Sequence, residues 1–236
     1  MATEINRMFS KIYQNYDLMN HLFSFNFDKL WRREAAKESL LPKMRYDVLD
    51  VASGTGDLAI AVSRSAASNG KAVKVVAYDF NKDMLDLAEI KFSKMDIRNI
   101  KNELGSAFSI PHRDGSFDVI TSGFALRSFV NSKDEKKGLQ KFLAESYRLL
   151  KPGGRMVLLD MAAPDDLIQG AFFRAYSKVM LFVGSFVEGD TYAWLVRTIK
   201  EFDKKKLARL MASAGFKNVR IRNLPSGIAF IASADK

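Results

Sequence analysis

The sequence predicts an α/β fold in which a doubly wound, Rossmann-like parallel sheet is closed by a C-terminal antiparallel hairpin. Three observations predict it. Short β-rich runs alternate with helical periods from residue 46 onward, as in a parallel sheet with crossover helices. The first run leads directly into a glycine turn at a helix start. Two further runs, 219–224 and 228–232, are separated only by Pro225, Ser226 and Gly227, which is typical of a hairpin.

The individual elements follow from spacing and from residues that end helices. The predicted parallel strands are 46–51, 73–79, 99–104, 117–122 and 155–160. Asn81 is expected to cap the helix after the second strand. Apolar residues from Leu139 to Leu150 recur at helical spacing. This helix is expected to stop in the segment 151–154, Lys-Pro-Gly-Gly, because proline cannot continue a helix and glycine accepts a left-handed turn.

A chain of 236 residues commonly forms one domain, and we divide this one into four parts. They are a helical, aromatic-rich N-terminal cap (1–42), a core (43–163), an apolar insert (164–202), and a last helix with the hairpin (203–236). The aromatic residues of the cap fit either a lid or a helix packed on the core. The insert, which includes Phe182 and Phe186, fits a lid over an apolar acceptor, a membrane-surface contact or a buried core helix.

Composition excludes several kinds of chemistry. The sequence contains no cysteine, so thiolate nucleophiles, zinc–cysteine sites and redox pairs are excluded. The two histidines, His21 and His112, lie too far apart in the sequence for metal-ligand spacing, and no metal site is predicted. No secretion signal or run of about 20 apolar residues is visible, so a cytoplasmic protein is expected.

The positive charge leaves the kind of partner open. The net charge of +10 is compatible with nucleic acid, a membrane surface or an acidic substrate. The lysines are scattered, and the cluster 204–206 opens a helical pattern, where a solvated helix face is the simpler interpretation.

The glycine loop after the first strand indicates a nucleotide-like cofactor. Gly54, Gly56 and Ala59 satisfy the dinucleotide pattern G-x-G-x-x-G/A, which also suits S-adenosylmethionine. Asp50 and Asp57 flank this loop and would repel a pyrophosphate, whereas they could balance a sulfonium and an ammonium. The loop therefore favours S-adenosylmethionine.

Residues after the next two strands complete the predicted cofactor site. Asp79 ends the second strand and could accept both ribose hydroxyls, with a helix-capping role as the alternative. Loop atoms of Gly105, Ser106 and Ala107 could meet the adenine edge.

At this point the chain resembles the ubiquinone/menaquinone biosynthesis C-methyltransferases, which are class I methyltransferases with a hairpin closing the sheet. Four segments carry the resemblance: 16–32 (Tyr-Asp-Leu-Met-Asn to Leu-Trp-Arg), 50–57, Phe124-Ala125-Leu126-Arg127, and 148–155 (Arg-Leu-Leu-Lys-Pro-Gly-Gly-Arg). The first and third are specific to the family. Serine at 53 and alanine at 125 stand where the family usually has glycine, serine at 106 and 128 where asparagine is typical, and glycine at 123 where serine is.

The resemblance implies donor contacts from Thr55, Asp79, Ser106, Ala107 and Gly123, and methylation of a ring carbon on a prenylated quinol. The full predicted cofactor set is Asp50, Ala52, Gly54, Thr55, Gly56, Asp79, Ser106, Ala107 and Gly123. Arg127 is the predicted catalytic residue, because a guanidinium after the fourth strand could stabilise a phenolate or orient a water. A surface ion pair is the alternative for Arg127, and His21 is a minor candidate for the base.

Other functions remain open at this level. A methyltransferase for another small molecule or for RNA, and a non-catalytic S-adenosylmethionine-binding protein, share the same cofactor loop. The absence of cysteine excludes cytosine-C5 chemistry, and no Asn/Asp-Pro-Pro-aromatic sequence follows the fourth strand, so nucleic acid is not the expected partner. A lipophilic acceptor implies peripheral membrane contact, and a homo-oligomer is compatible with the sequence.

Overall fold

The sheet in the computed structural model has the mixed topology expected from the sequence. The structure describes residues 21, 24–130, 138–184, 189–225 and 227–236, without the side chains at 168, 172, 179–184 and 189–192. In these residues seven strands pair in the order β3-β2-β1-β4-β5-β7-β6, and β7 runs antiparallel to both neighbours. The strands are β1 Arg45–Val51, β2 Ala72–Asp79, β3 Ile100–Leu104, β4 Phe117–Gly123, β5 Leu150–Met161, β6 Lys217–Asn223 and β7 Ala229–Asp235.

Helices cover both faces of the sheet. In the described residues they are α1 Phe27–Glu38, α2 Asp57–Ser68, α3 Lys82–Lys94, α4 Leu126–Val130, α5 Gly138–Leu149, α6 Leu167–Gly184, α7 Gly189–Glu201 and α8 Lys204–Ser213. Residues of α1, α2 and α3 pack on one face. Residues of α4, α5 and α8 pack on the other. The central strand β1 carries buried apolar side chains on both of its faces, namely Val48, Leu49 and Val51. Both faces are apolar because helices cover both sides of the sheet at this strand.

The N-terminal helix is part of the core as well as a neighbour of the site. Trp31, Ala35 and Ala36 of α1 are buried against the helices and strands of its face, whereas Phe25 and Phe27 are exposed, so lid and core packing both stay open for the aromatic stretch. Residues 1–20, 22 and 23, where the rest of the predicted cap falls, lie outside the described residues.

One predicted boundary is wrong by several residues. The helix α5 ends at Leu149, and β5 already begins at Leu150 instead of Arg155, so the segment Lys151 to Gly154 lies within the strand. The left-handed glycine expected in this segment is present, since Gly153 has a φ angle of 73°. Leu150 pairs with Phe117, and the register shifts before Arg155 pairs with Val119. The proline and glycines of this segment thus sit in an irregular stretch of strand.

The apolar insert forms α6 and α7, which follow β5 at the carboxyl edge of the parallel strands. Phe173, Val196 and Ile199 are buried, and Tyr176 and Leu195 pack against Val196. Part of the insert therefore has a core of its own. Phe186 lies outside the described residues, as does the side chain of Phe182, so they do not decide between lid and core.

Candidate active site

The predicted cofactor loop is a turn in left-handed backbone. Ala52, Gly54 and Gly56 have φ angles of 54°, 56° and 81°, which glycine adopts freely and alanine only with strain. A Cβ at Gly56 would lie 2.6 Å from the ring of Phe92, so this position also requires glycine for space. The turn delivers the chain directly into α2, whose first amides face the carboxyl edge of the sheet.

Asp79 fastens the second strand to this turn. One carboxylate oxygen accepts a hydrogen bond from the Gly54 amide at 2.8 Å, and the other accepts one from the Asn81 amide at 2.8 Å. Burial raises the pKa of Asp79, although these amides partly offset the rise. The helix-capping alternative for Asp79 is wrong, because the Asn81 side chain caps α3 by accepting from the Met84 amide at 3.1 Å.

Asp50 is a fully buried carboxylate beneath the same turn. Its two oxygens accept hydrogen bonds from the hydroxyls of Ser53 and Thr121, both at 2.6 Å. Burial raises the pKa of Asp50 to about 6, the hydroxyls oppose this, and the nearby charge of Asp79 adds to it. Two carboxylates held close together in this way favour a cationic ligand.

Asp57 does not play the part that the sequence suggested. Its carboxylate pairs with Lys91, and its second oxygen lies 3.6 Å from the Arg32 guanidinium. Lys91 also donates to the hydroxyl of the buried Thr55 at 3.0 Å. The charge of Asp57 is thus balanced within the protein, so the electrostatic case against a pyrophosphate rests on Asp50 and Asp79.

The third and fourth strands end at the same edge. The Gly105 amide donates to the Asp79 carbonyl at 2.8 Å, which brings Ser106 and Ala107 beside the second strand. Gly123 ends β4, where an added Cβ would lie 3.2 Å from Leu58 of α2. The structure therefore brings the predicted cofactor residues together in four loops at the carboxyl edge of the sheet.

Arg127 lies at this edge but is committed to a buried ion pair. It is 3% exposed, and its Nε donates to Asp160 at 2.6 Å. The second oxygen of Asp160 accepts from the Leu126 amide at 2.8 Å, so the pair joins the end of β5 to the start of α4. The alternative of a surface ion pair is wrong in its location, since this pair is buried. Sequence reasoning missed Asp160, although an aspartate ending an apolar strand was a usable signal.

Arg32 is a second buried arginine that sequence reasoning left out. Its guanidinium pairs with Asp28 and lies 5.1 Å from the centre of the Phe124 ring. Trp31 contacts the same ring, with centroids 6.3 Å apart. The available signal was the Leu-Trp-Arg segment of the family resemblance.

Neither histidine lies among the cofactor residues. Nδ1 of His21 is 2.7 Å from Asp28, and Nε2 of His112 is 2.7 Å from Glu103. His112 is half-buried against Phe117 rather than free in solvent. Among the described residues there is no cluster of three or more potential metal ligands, and no helix is long and apolar enough to cross a membrane.

Comparison with known proteins decides the family. The model of the ubiE/COQ5 methyltransferase family matches residues 1–236. The chain belongs to this family. The demethylmenaquinone methyltransferase of Deinococcus radiodurans is 39% identical over 236 residues, covering 98% of this chain and 92% of that protein. The ubiquinone/menaquinone biosynthesis C-methyltransferase UbiE of Rickettsia bellii is 33% identical over 98% of this chain and 92% of its own length.

A solved structure agrees on the fold. The SAM-dependent methyltransferase of Thermotoga maritima matches with a TM-score of 0.65 at 18% identity, covering 98% of this chain and 99% of the other. This likeness confirms the Rossmann-like methyltransferase fold, and the family match shows that the protein is an S-adenosylmethionine-dependent methyltransferase. The glycine turn and the two buried carboxylates fit that donor, which is cationic and carries no phosphate.

Proposed function

We propose that this methyltransferase transfers the methyl group of S-adenosylmethionine to a ring carbon of a prenylated quinol in menaquinone or ubiquinone biosynthesis. The names of its relatives in Deinococcus radiodurans and Rickettsia bellii, a demethylmenaquinone methyltransferase and a ubiquinone/menaquinone biosynthesis C-methyltransferase, support this acceptor class. The structural observation that carries it is the buried Arg127–Asp160 pair, which lies beside the donor loops at the ends of β4 and β5.

The donor side of the site would be held by backbone and carboxylates. Asp79 would accept the ribose hydroxyls with the lone pairs that remain beside its two amide bonds, and Asp50 would balance positive charge near the turn. Ala52, Gly54, Thr55 and Gly56 would line the turn itself. Ser106, Ala107 and Gly123 would complete the pocket from the neighbouring strands. When bound, S-adenosylmethionine supplies a methyl group on a positively charged sulfur.

The acceptor side needs an electron-rich carbon, which a quinol provides once one hydroxyl has lost its proton. Arg127 would stabilise the resulting phenolate or orient a water that takes the proton. Asp160 would keep the guanidinium in one orientation by accepting from its Nε. The rings of Trp31 and Phe124 would form an apolar wall that excludes water from the reacting atoms.

The lipophilic acceptor also supports a cytoplasmic location in which the protein contacts the membrane peripherally. Phe25 beside α1 is 72% exposed, and Leu167 at the start of α6 is 84% exposed. Phe25 contacts Tyr176 of α6, with ring centroids 6.0 Å apart, so the turn before α1 reaches the insert. The protein has a net charge of +10, which favours anionic lipid. We propose that the side carrying Phe25 and Leu167 rests on the membrane surface.

The direct test is turnover with purified protein, S-adenosylmethionine and two chemically reduced acceptors, a prenylated naphthoquinol and a prenylated benzoquinol, each lacking the ring methyl. Mass spectrometry should find a methyl group on the ring carbon of one or both. The matched control is the same acceptor with its hydroxyls blocked as ethers, which should not react. Methylation of oxygen, or no product while S-adenosylhomocysteine binds, would overturn the proposal.

A further inference from the structure

Arg32 connects the two loops that the proposed reaction depends on. On one side its guanidinium lies 3.6 Å from Asp57, the first residue of α2 after the glycine turn. On the other side it lies 5.1 Å from the centre of the Phe124 ring, directly after β4. The side chain is buried, and its pairing with Asp28 one turn earlier in α1 fixes its direction.

Phe124 needs such support because its backbone is left-handed. Its φ angle is 60°, a conformation that is unusual for a bulky residue and persists only where the surroundings hold it. The Phe124 amide donates to the Leu159 carbonyl at 2.7 Å, and the ring lies against Trp31 and the Arg32 guanidinium. Three residues later the same chain carries Arg127. The position of the Phe124 ring therefore bears on the position of Arg127.

The contact is of a kind that arginine makes and lysine does not make equally well. A planar guanidinium can stack on an aromatic face and still donate from its edges to carboxylates, whereas an ammonium is a compact, strongly hydrated charge. Arg32 donates a hydrogen bond to Asp28 and lies within ion-pair distance of Asp57, while its guanidinium lies over the Phe124 ring.

We propose that Arg32 is a positioning residue, which acts through the Phe124 ring to fix the loop after β4, and with it Arg127, relative to the glycine turn. This inference rests on the proposed function for its kinetic consequence. Its structural content, the ordering of residues 124–127 by Arg32, can be measured without any acceptor.

The test is a double-mutant cycle of R32K, F124L and the double variant, with R33K as the matched control on the exposed side of α1. R32K keeps the charge beside Asp28 and Asp57 but loses the planar face, and F124L keeps the chain length while removing the ring. Hydrogen exchange of the amides at 124–127 should become about tenfold faster in R32K and in F124L. It should stay at the wild-type rate in R33K.

The kinetic readout separates positioning from simple binding. R32K and F124L should each lower kcat about tenfold, with the Kd for S-adenosylhomocysteine changed less than twofold, and the double variant should be no slower than either single one. Equal effects of R32K and R33K, additive losses in the double variant, or a parallel loss of S-adenosylhomocysteine affinity would overturn the inference.

Failure of the proposed function gives a different result. If the wild-type protein leaves the quinols unmethylated, the acceptor assignment fails while the exchange measurement still decides whether Arg32 orders the loop. Wild-type exchange rates at 124–127 in R32K would overturn the inference even if the wild-type enzyme methylates the quinols.

Discussion

At the scale of single residues, the site contains two buried carboxylates that have different roles. Asp79 organises the backbone by accepting amides from the glycine turn and from the loop after β2. Asp50 is enclosed by hydroxyls that stabilise its charge only in part, so its pKa remains raised. Both would gain from a positively charged donor, and each predicts a measurable effect on donor affinity.

Replacing Asp79 with alanine should weaken S-adenosylhomocysteine binding about ten- to hundredfold, because the charge-assisted hydrogen bonds to the ribose, together worth about 1.5–3 kcal/mol, are lost. Titration calorimetry measures this affinity. Asp86→Asn on the exposed side of α3 is the control and should bind as the wild type does. Unchanged affinity in the alanine variant would remove Asp79 from the site.

Affinity for S-adenosylmethionine should fall as the pH drops through about 6. The pKa of Asp50 in the free protein is about 6, and a cationic ligand favours its charged form, so protonation at lower pH opposes binding. Asp79, whose pKa is also raised by burial, should steepen the same trend. Calorimetry from pH 5 to 8 should show this fall in the wild type and a shallower one in Asp50→Asn. Identical profiles would assign the titration to another group.

Arg127→Lys should reduce kcat about a hundredfold while the Kd for S-adenosylhomocysteine changes little. Lysine keeps a positive charge beside the buried Asp160 but cannot reproduce the guanidinium fork, so folding is retained while phenolate stabilisation is lost. Removing the charge with alanine is less informative, because an unpaired buried Asp160 should destabilise the fold by about 3–5 kcal/mol. Arg113→Lys on the exposed loop before β4 is the control. Normal turnover in Arg127→Lys would make Arg127 a structural residue.

At the scale of elements, a carboxylate joins strands at the amino edge of the sheet, and its pKa is lowered whereas those of Asp50 and Asp79 are raised. Asp118 in β4 accepts from the Asp47 amide of β1 at 3.0 Å, from Lys151 of β5 at 2.7 Å and from Lys43 at 2.6 Å. Burial alone would raise the pKa of Asp118, but these donors outweigh it and lower the pKa to about 2. The interaction joins three adjacent strands at the end away from the cofactor loops.

Asp118→Asn should therefore lower the free energy of unfolding by about 2 kcal/mol at neutral pH. A depressed pKa stabilises the folded state above the unfolded value near 4, and this contribution disappears as the pH falls toward 2. Urea unfolding at several pH values should show the difference between wild type and variant shrinking over that interval. Asp114→Asn, an exposed ion pair on the neighbouring loop, should change stability far less. A difference that does not depend on pH would contradict the ionic explanation.

The sequence predicted elements well where local pattern decides them. Strand runs, the Asn81 cap and the hairpin depend on neighbouring residues, so periodicity and turn chemistry sufficed. The gathering of the proposed cofactor residues at one edge of the sheet was predictable because they lie at or directly after strand ends. The start of β5 was not predictable, since the pairing of Leu150 with Phe117 of β4 lies on the far side of the irregular segment Lys151 to Gly154 and depends on residues distant in the sequence. The Arg127–Asp160 pair and the reach of Arg32 to Phe124 depend on the packing of distant elements.

At the scale of the whole molecule, charge and exposed apolar groups together predict membrane association. The chain carries 37 lysines and arginines against 27 aspartates and glutamates, and large apolar side chains are exposed beside α1 and α6. A prenylated acceptor resides in lipid, so docking of the enzyme on the bilayer would give the ring access to the site.

The double variant Phe25→Ser/Leu167→Ser should bind vesicles containing anionic lipid several-fold more weakly than the wild type, with the melting temperature almost unchanged, because both side chains are exposed. Co-sedimentation measures the bound fraction. Ile90→Ser, which removes an exposed apolar group on α3, is the control and should leave vesicle binding intact. Equal binding by the double variant and the wild type would place the lipid contact elsewhere.

The two ends of the α6–α7 insert lie next to each other where the insert joins the sheet, and this bears on how the insert can be exchanged between relatives. Its two ends are tied together at the foot, where the Ala163 amide donates to the Ile199 carbonyl at 3.0 Å and Lys204 pairs with Asp165 at 2.5 Å. Because the two ends of the insert lie side by side, α6 and α7 can be replaced by another pair of helices without changing the loops after β1 and β2. We therefore expect that a chimaera cut at this junction, with α6 and α7 taken from a relative, keeps its affinity for S-adenosylhomocysteine, and its activity on different quinols would show whether the insert sets acceptor preference.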